Sequence, residues 1–224
     1  MPRLLPLFIA SAVLAISTAL AFPGHWLPYA LLKTLTTLLV IAHAWRLGGQ
    51  GTPMRTPLLA GLVLSLLGDV ALLWPQQGFL PGLVAFLLAH LAYLVAFTRG
   101  VPGVRFGAWP LAFAGYAALA AVVLALLWPG VPGPLRAPVV AYVLCLAAMA
   151  AQTASAWHQA RQQADTATRR RLAGAAIGGA LFLSSDALLA TNRFHTPLPL
   201  STLWILATYW AAQWLIANAL PPRR

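Results

Sequence analysis

The stretch LSLLGDVALLW, residues 64–74, places Asp69 inside an apolar run that is long enough to cross a membrane. An ionised carboxylate at the centre of a membrane helix costs about 2.5–3.5 kcal/mol even on the most lenient insertion scales. A second run, LFLSSDALLA at residues 181–190, carries Asp186 in the same way. The sequence has three acidic residues, and only Asp165 lies outside such a run. We therefore predict that the other spans hold the two aspartates together at a functional site.

The composition is that of a polytopic membrane protein. The 224 residues are 61% hydrophobic and 8% charged, whereas a soluble domain carries about 25% charged residues. The net charge of +11 could suggest a nucleic-acid partner. The basic residues lie at the ends of apolar runs and form no patch interleaved with aromatics, so we expect no nucleic acid to bind. The single cysteine, Cys145, excludes an intrachain disulfide and a cysteine-based metal cluster.

Apolar runs of about 20 residues predict membrane helices. The fold class that follows is all-α: a polytopic transmembrane bundle of eight helices in a single integral membrane domain over residues 1–224. The polar segment Gln159–Arg171 is expected to project into water. The predicted spans are 4–22, 26–46, 57–74, 79–98, 108–128, 138–158, 172–191 and 198–220.

The distribution of basic residues predicts the orientation of these spans. One set of connections and termini holds most of the arginines, including Arg46, Arg55 and the run Arg169–Arg171, whereas the other holds only Arg136 and Arg193. By the positive-inside rule, both termini are cytoplasmic. The arginine run is interpreted as a topology signal that also contacts anionic membrane lipids. We expect a multi-pass protein of a bacterial inner (cell) membrane.

The position of a residue in its span gives its depth in the membrane, at a rise of about 1.5 Å per helical residue. These depths place several polar residues close to one another. Lys33, Asp69 and Asp186 all fall about 7–11 Å below the non-cytoplasmic rim. His90 falls near the middle of the membrane, with Tyr93 one turn further in. The last two polar positions, Tyr209 and Gln213, are predicted at or below the middle of the last span. Several of these polar side chains, from different helices, therefore share a narrow range of depth.

Four segments of the sequence resemble the YhhN-like lysoplasmalogenase family. They are LGD at 67–69, FLLAHLAY at 86–93, SDALLATNRF at 185–194 and YWAAQ at 209–213. The segment KTLT at 33–36 is similar to the family's Lys-Pro-Leu-Thr, with Thr34 where proline is usual. The resemblance implies a membrane hydrolase that cleaves the vinyl ether bond of a lysoplasmalogen. The products would be a fatty aldehyde and glycerophosphoethanolamine or glycerophosphocholine.

The same resemblance implies that Asp69 and Asp186 are catalytic and that no metal or cofactor is required. Vinyl ether hydrolysis needs a proton donor and an anionic group that stabilises an oxocarbenium ion, and two carboxylates in different environments can divide such roles. Asp186 shares a helix face with Arg193, which would stabilise its ionised form. Asp69 is therefore the preferred acid, although the sequence leaves the assignment open.

The remaining polar residues are candidate substrate-binding groups. Lys33 and Arg193 suit the phosphodiester head group, because guanidinium and ammonium groups bind phosphate. A second set could position water or the glycerol hydroxyl: His90, Tyr93, Asn192, Tyr209 and Gln213.

The residues also allow readings other than catalysis. The aspartates could form structural ion pairs with Lys33 or Arg193, and the buried histidine, tyrosines and glutamine could be contacts between helices. A second class of function is a small lipid or proton-coupled transporter that uses the buried aspartates and lysine as ion sites. The sequence leaves the oligomeric state open.

Overall fold

The computed structural model describes residues 4–22, 24–48, 51–74, 76–101 and 103–222. These ranges contain eight α-helices and no β-strand, apart from an isolated bridge between Gly48 and Pro222. The helices are α1 Leu4–Ala21, α2 Trp26–Leu47, α3 Arg55–Ala71, α4 Phe79–Arg99, α5 Pro110–Leu127, α6 Gly133–Gln163, α7 Thr166–Phe194 and α8 Ser201–Ala217. Each corresponds to one predicted span, so the all-α, eight-helix prediction is confirmed.

Six of the eight helices are long and apolar enough to cross a membrane. The other two, α3 and α8, have 17 residues each. We call the end of the bundle where α1, α3, α5 and α7 finish the outer end, following the predicted orientation, and the opposite end the inner end.

Two helices are longer than their predicted spans, and the polar segment between them is mostly helical. The predicted connection 159–171 extends α6 as far as Gln163 and forms the first turns of α7 from Thr166. Asp165 caps α7, because its Oδ1 accepts a hydrogen bond of 2.9 Å from the Thr168 backbone N–H. This bond and one from the Thr168 hydroxyl lower the pKa of the Asp165 carboxyl. The structure thus shows that the polar segment expected to project into water is mostly helical, and Asp165 begins the second of its two helices.

The packing separates a core from a periphery. The largest interfaces join α7 to α8, α3 to α4 and α6 to α7, and α4 also packs on α6. By contrast, α1 packs mainly on α2, and α5 mainly on α6. Their outward faces are apolar: Val13 of α1 is 56% exposed and Leu111 of α5 is 75% exposed. Such faces suit contact with lipid tails, and they leave α2, α3, α4, α6, α7 and α8 to enclose the polar residues.

Glycines allow α3 and α4 to approach closely beside Asp69. The ring of Phe86 lies where a Cβ on Gly68 would stand, and the ring of Tyr93 occupies the corresponding space at Gly61. A side chain at either glycine would therefore push the two helices apart. The residue after Gly68 is Asp69, so this close approach fixes the depth and direction of the carboxylate relative to α4.

Candidate active site

Asp69 lies in a closed, charged site between α2, α3 and α8. Lys33 Nζ is 3.3 Å from Asp69 Oδ1 and donates a hydrogen bond of 3.0 Å to the Asp69 backbone carbonyl. The side chains of this pair are 6% and 3% exposed. The other carboxylate oxygen, Oδ2, accepts hydrogen bonds from Thr37 Oγ1 at 2.7 Å and Tyr209 Oη at 2.8 Å. A cation and two hydroxyl donors therefore stabilise a negative charge on Asp69.

A hydrogen-bonded chain extends from this carboxylate towards the inner half of the bundle. Gln213 Nε2 donates to Tyr209 Oη at 3.1 Å, and Tyr93 Oη donates to Gln213 Oε1 at 2.7 Å. Ser65 Oγ lies 3.3 Å from the same Tyr93 hydroxyl. We call Lys33, Asp69, Tyr209, Gln213 and Tyr93 the Asp69 network. It unites five predicted site residues from four helices, and its buried polar groups are paired with one another.

Asp186 lies in a different setting. Its Oδ2 accepts a hydrogen bond from the Tyr142 hydroxyl of α6. The carboxylate borders a cavity of about 90 Å³, which we call the outer cavity, between α4, α5, α6 and α7. Apart from Tyr142 and Asp186, the described lining is apolar, and it includes Leu83, Val139 and Ala190. An ion placed here lacks the solvation that water or a counterion would give.

Aromatic rings separate the two carboxylates. Phe86 lines the outer cavity, and its ring centroid is 5.8 Å from that of Tyr209 in the Asp69 network. Phe182 packs against both rings, with centroid distances of 6.3 Å and 5.5 Å. Within the described ranges, no hydrogen bond joins the two aspartates and they share no donor. The structure thus places them on two sides of one aromatic wall and does not form a hydrogen-bonded dyad.

His90 is fully buried beside this wall. Its ring is 4.5 Å from Phe182 and 5.3 Å from Tyr142, measured between centroids. Neither ring nitrogen has a hydrogen-bond partner among the described residues. His90 therefore contacts Phe182, whose ring packs on Tyr209 of the Asp69 network. It also contacts Tyr142, the hydrogen-bond donor to Asp186.

Asn192 and Arg193 lie at the outer end of α7. Asn192 Oδ1 accepts a hydrogen bond of 2.9 Å from the Leu198 backbone N–H, which fixes the turn between α7 and α8. The Arg193 guanidinium lies over the ring of Phe79, with 3.8 Å from Cζ to the ring centroid. Both Phe79 and Phe194 line the outer cavity. Arg193 is consequently a group of the cavity's outer rim, held by a cation–π contact.

Two polar residues of the site were missed in the sequence. Tyr142 follows the predicted outer start of its span by four residues, so the depth argument applied to Asp69 would also have selected it. Thr37 follows Lys33 by four residues and therefore lies on the same helix face. Trp210 Nε1 donates to the Thr37 hydroxyl at 3.3 Å and closes the site on the side of α8.

These features define an α-helical, polytopic membrane protein with a charged polar network and a separate carboxyl-lined apolar cavity between its helices. A YhhN family model matches residues 29–220, and the chain belongs to the YhhN family. The resemblance inferred from the motifs is confirmed.

Named relatives cover most of the chain. It is 32% identical over 222 residues to the protein named lysoplasmalogenase TMEM86A of Bos taurus, an alignment that spans 96% of this chain and 87% of the relative. It is 36% identical over 188 residues to lysoplasmalogenase TMEM86B of Homo sapiens, spanning 84% and 73%. The uncharacterized membrane protein YhhN of Escherichia coli O157:H7 is 37% identical over 100 residues, spanning 43% and 44%. No solved structure matches the chain.

Proposed function

We propose that the chain hydrolyses the vinyl ether bond of lysoplasmalogens in a membrane, releasing a fatty aldehyde and glycerophosphoethanolamine or glycerophosphocholine. Two kinds of observation support this proposal. Relatives that align with most of the chain are named lysoplasmalogenases. The bundle also has a carboxyl group on the wall of an apolar cavity, where a hydrocarbon chain and a proton donor would meet.

The observation that carries the mechanism is the pairing of Asp186 with Tyr142 at the outer cavity. A lysoplasmalogen is a single-chain amphiphile, and the apolar lining from four helices suits its alkenyl chain. Arg193 at the rim suits the phosphodiester, because a guanidinium group binds phosphate well. Lys33 belongs to the closed Asp69 network and is not among the described lining residues of the outer cavity, so we assign the head group to Arg193 at the rim.

We assign the proton donor to Asp186 and a supporting role, through its ion pair with Lys33, to Asp69. The preference for Asp69 as the acid depended on Arg193 stabilising an ionised Asp186. The Lys33 ammonium is 3.3 Å from the Asp69 carboxylate, which also accepts hydrogen bonds from two hydroxyl groups. Asp186 borders an apolar cavity and accepts a hydrogen bond from Tyr142. These surroundings support Asp186, rather than Asp69, as the proton donor.

In the proposed reaction, the Asp186 carboxyl gives its proton to the alkene carbon that does not bear oxygen. The double-bond electrons form the new C–H bond, and the ether oxygen shares the positive charge of the resulting oxocarbenium ion. Water adds to the cationic carbon, and its proton returns to the Asp186 carboxylate. The hemiacetal then breaks its carbon–oxygen bond to the glycerol, whose oxygen takes the remaining hydroxyl proton.

The Asp69 network positions the aromatic wall of the outer cavity. Tyr209 is held by Asp69 and Gln213, and its ring supports Phe86, which lines the cavity. An aromatic face stabilises a nearby cation, so Phe86 is suited to an oxocarbenium ion in the cavity. Asp69 thus acts through Tyr209 and Phe86 in this proposal, whereas Asp186 contacts the reacting atoms.

The test follows aldehyde release by the purified protein in detergent, with a 1-alkenyl lysophospholipid as substrate. The matched substrate is the 1-alkyl ether of the same chain length, which has no double bond to protonate and should release no aldehyde. The matched variants are Asp186→Asn, expected to be inactive, and Asp165→Asn, which makes the same chemical change at an exposed helix cap and should remain active. A well-folded parent that releases no aldehyde would refute the proposed activity.

Isotope labelling tests the proposed step. In deuterium oxide, the aldehyde trapped as it forms should carry one deuterium on the carbon next to the carbonyl, since that carbon receives the catalytic proton. An aldehyde without deuterium there would show that carbon protonation does not occur, even if the vinyl ether is cleaved.

A further inference from the structure

A second cavity lies at the inner end of the bundle, far from both aspartates. Its walls come from the residues that precede α3 and follow α4, the facing ends of α6 and α7, and the residues after α8. It has a volume of about 460 Å³, and we call it the inner cavity. The polar side chains in its described lining are those of Thr52, Gln159, Thr168 and Arg171.

Arg171 is partly exposed, and two of its guanidinium nitrogens are buried at this cavity. Its Nη2 donates a hydrogen bond of 2.8 Å to Thr168 Oγ1. Its Nε and Nη1 are buried and have no hydrogen-bond partner within the described ranges. A guanidinium group has only donors and stays protonated, so it cannot relieve such burial by losing its charge. Buried donors of this kind call for an anionic acceptor.

The acidic side chains among the described residues do not accept hydrogen bonds from these two nitrogens, although the charge of Arg171 contributes to lowering the pKa of Asp165. Both oxygens of Asp165 accept hydrogen bonds of 2.9 Å from Thr168, one from the backbone N–H and one from the hydroxyl. In the part of the chain that the structure describes, no salt bridge joins Asp165 to Arg171; the ion pair found there is Lys33–Asp69. Of the other two acidic residues, Asp69 is paired with Lys33, and Asp186 is fifteen positions along α7 from Arg171, or about 22 Å.

The neighbouring arginines differ from Arg171. Arg169 and Arg170 are exposed at the surface of α7, and Arg169 donates to Thr166 Oγ1 at 3.0 Å. A topology signal requires only that positive charges lie on one side of the membrane. A topology signal does not explain why Arg171, the third arginine of the run, has two buried nitrogens without a hydrogen-bond partner within the described ranges.

We propose that the inner cavity binds a phosphate or phosphodiester group, with Arg171 as its cationic ligand. Guanidinium donors match phosphate oxygens in geometry and charge, and the unpaired Nε and Nη1 provide two such donors. The apolar part of the lining, which includes Met54, Val101 and Leu172, suits the glycerol and first methylenes of an anionic lipid. Free phosphate and soluble phosphoesters share the same anionic chemistry.

This site is distinct from that of the proposed hydrolase substrate. In a lysoplasmalogen, the vinyl ether is separated from the phosphate by the glycerol unit alone, which is far shorter than the about 22 Å between Arg171 and Asp186 along α7. One substrate molecule cannot occupy both positions. The inner cavity therefore takes a second ligand, and its occupancy does not depend on the reaction proposed for Asp186.

The experiment measures the thermal unfolding temperature, Tm, of the purified protein in neutral detergent. The three titrations use phosphatidylglycerol, phosphatidylcholine and inorganic phosphate. A ligand about a hundredfold above its Kd should raise Tm by roughly 5 °C for a chain of this size. Arg171→Gln should weaken that binding about ten- to a hundredfold, the effect of losing charge-assisted hydrogen bonds. Arg170→Gln removes the same charge from an exposed neighbour and should bind like the parent.

The outcomes separate the possible sources of the anion. A shift with phosphatidylglycerol alone supports the phosphodiester of an anionic lipid, a shift with phosphatidylcholine as well supports a lipid phosphodiester of either net charge, and a shift with inorganic phosphate supports a small phosphate ligand. An equal loss in both arginine variants would overturn the proposal, because it would reflect surface charge. If Arg171→Gln does not fold, the parent and Arg170→Gln still test the proposal. The absence of a Tm shift with both phosphatidylglycerol and inorganic phosphate in these two proteins would also overturn the proposal.

Discussion

Asp69 and Asp186 lie in similar segments, Leu66-x-x-Asp69-x-x-Leu72 and Leu183-x-x-Asp186-x-x-Leu189, yet their surroundings differ. Asp69 is enclosed by a lysine, a threonine and a tyrosine. Asp186 has one tyrosine donor and borders an apolar cavity. The difference shows that the neighbouring helices decide what a membrane carboxylate can do. In the proposed mechanism, Asp69, opposite a cation and hydrogen-bond donors, stabilises helix packing, and Asp186, at an apolar cavity, transfers the proton.

The sharpest test of this comparison replaces each aspartate by asparagine. Asp186→Asn should lower turnover by about a thousandfold, the order of magnitude of general acid catalysis, while Tm stays close to that of the parent. Asp69→Asn should lower Tm strongly, because it leaves Lys33 buried without its counter-charge at a cost of about 3–5 kcal/mol. Aldehyde release and thermal unfolding measured on the same preparations check both effects. Equal effects on Tm from the two variants would mean that the two sites do not differ as described.

The next largest effect is expected when the positive charge of Lys33, the partner of Asp69, is removed. Lys33→Met should destabilise the protein by an amount similar to Asp69→Asn, since it leaves the carboxylate unpaired. The double variant Lys33→Met/Asp69→Asn should recover much of the loss, because it removes both charges together. A double-mutant cycle on unfolding free energies measures the coupling. Additive losses in the double variant would show that the ion pair contributes no coupling energy.

The two tyrosines next to the carboxylates should separate activity from stability. Tyr142→Phe removes the donor to Asp186 and should reduce turnover about tenfold or more, because the carboxyl loses its fixed direction. Tyr209→Phe removes a donor to Asp69 and an acceptor for Gln213, so it should cost about 1–3 kcal/mol of stability. Initial rates and Tm for both variants provide the comparison. A larger loss of Tm in Tyr142→Phe than in Tyr209→Phe would reverse the assigned roles.

The third aspartate provides the smallest expected effect and a reference for the other two. Asp165→Ala removes the α7 cap and should lower Tm slightly, with turnover unchanged. In the parent, the hydrogen bonds from Thr168 lower the pKa of the Asp165 carboxyl in the folded protein. The stability that this carboxylate contributes is therefore fully present above the pKa that Asp165 has in the unfolded chain. The contribution is lost as the pH falls through the lower folded pKa. The Tm difference between parent and variant should therefore disappear in acid; a difference that persists there would exclude the carboxylate as its cause.

The parts of the site that the sequence predicted were those that depth determines. Lys33 and Asp69 share a depth range, and the structure pairs them. Tyr209 and Gln213, four residues apart on one face, both join the Asp69 network. These groupings depend only on the rise per residue of a helix and on its period, which the sequence states directly.

The other parts of the site depend on how each helix is rotated and on which helix lies beside it. Arg193 shares a helix face with Asp186, and its guanidinium lies over Phe79 of α4. Tyr142 is the donor to Asp186 only because α6 packs against α7 at that depth. The rings of Phe86 and Phe182 keep the aspartates in separate sites, although both carboxylates have the same predicted depth.

The sequence by itself determined eight apolar helices, the family to which they belong and the depth of the buried charges. Hydropathy and the rise per residue of a helix depend only on the order of residues within each segment. Only the tertiary structure decided which charge meets which partner: Lys33 with Asp69, Tyr142 with Asp186, and the Arg171 guanidinium with a cavity at the inner end. Lipid tails and apolar helix faces are chemically alike, so hydropathy alone does not select neighbours. Close packing at small residues and polar contacts between helices make that selection.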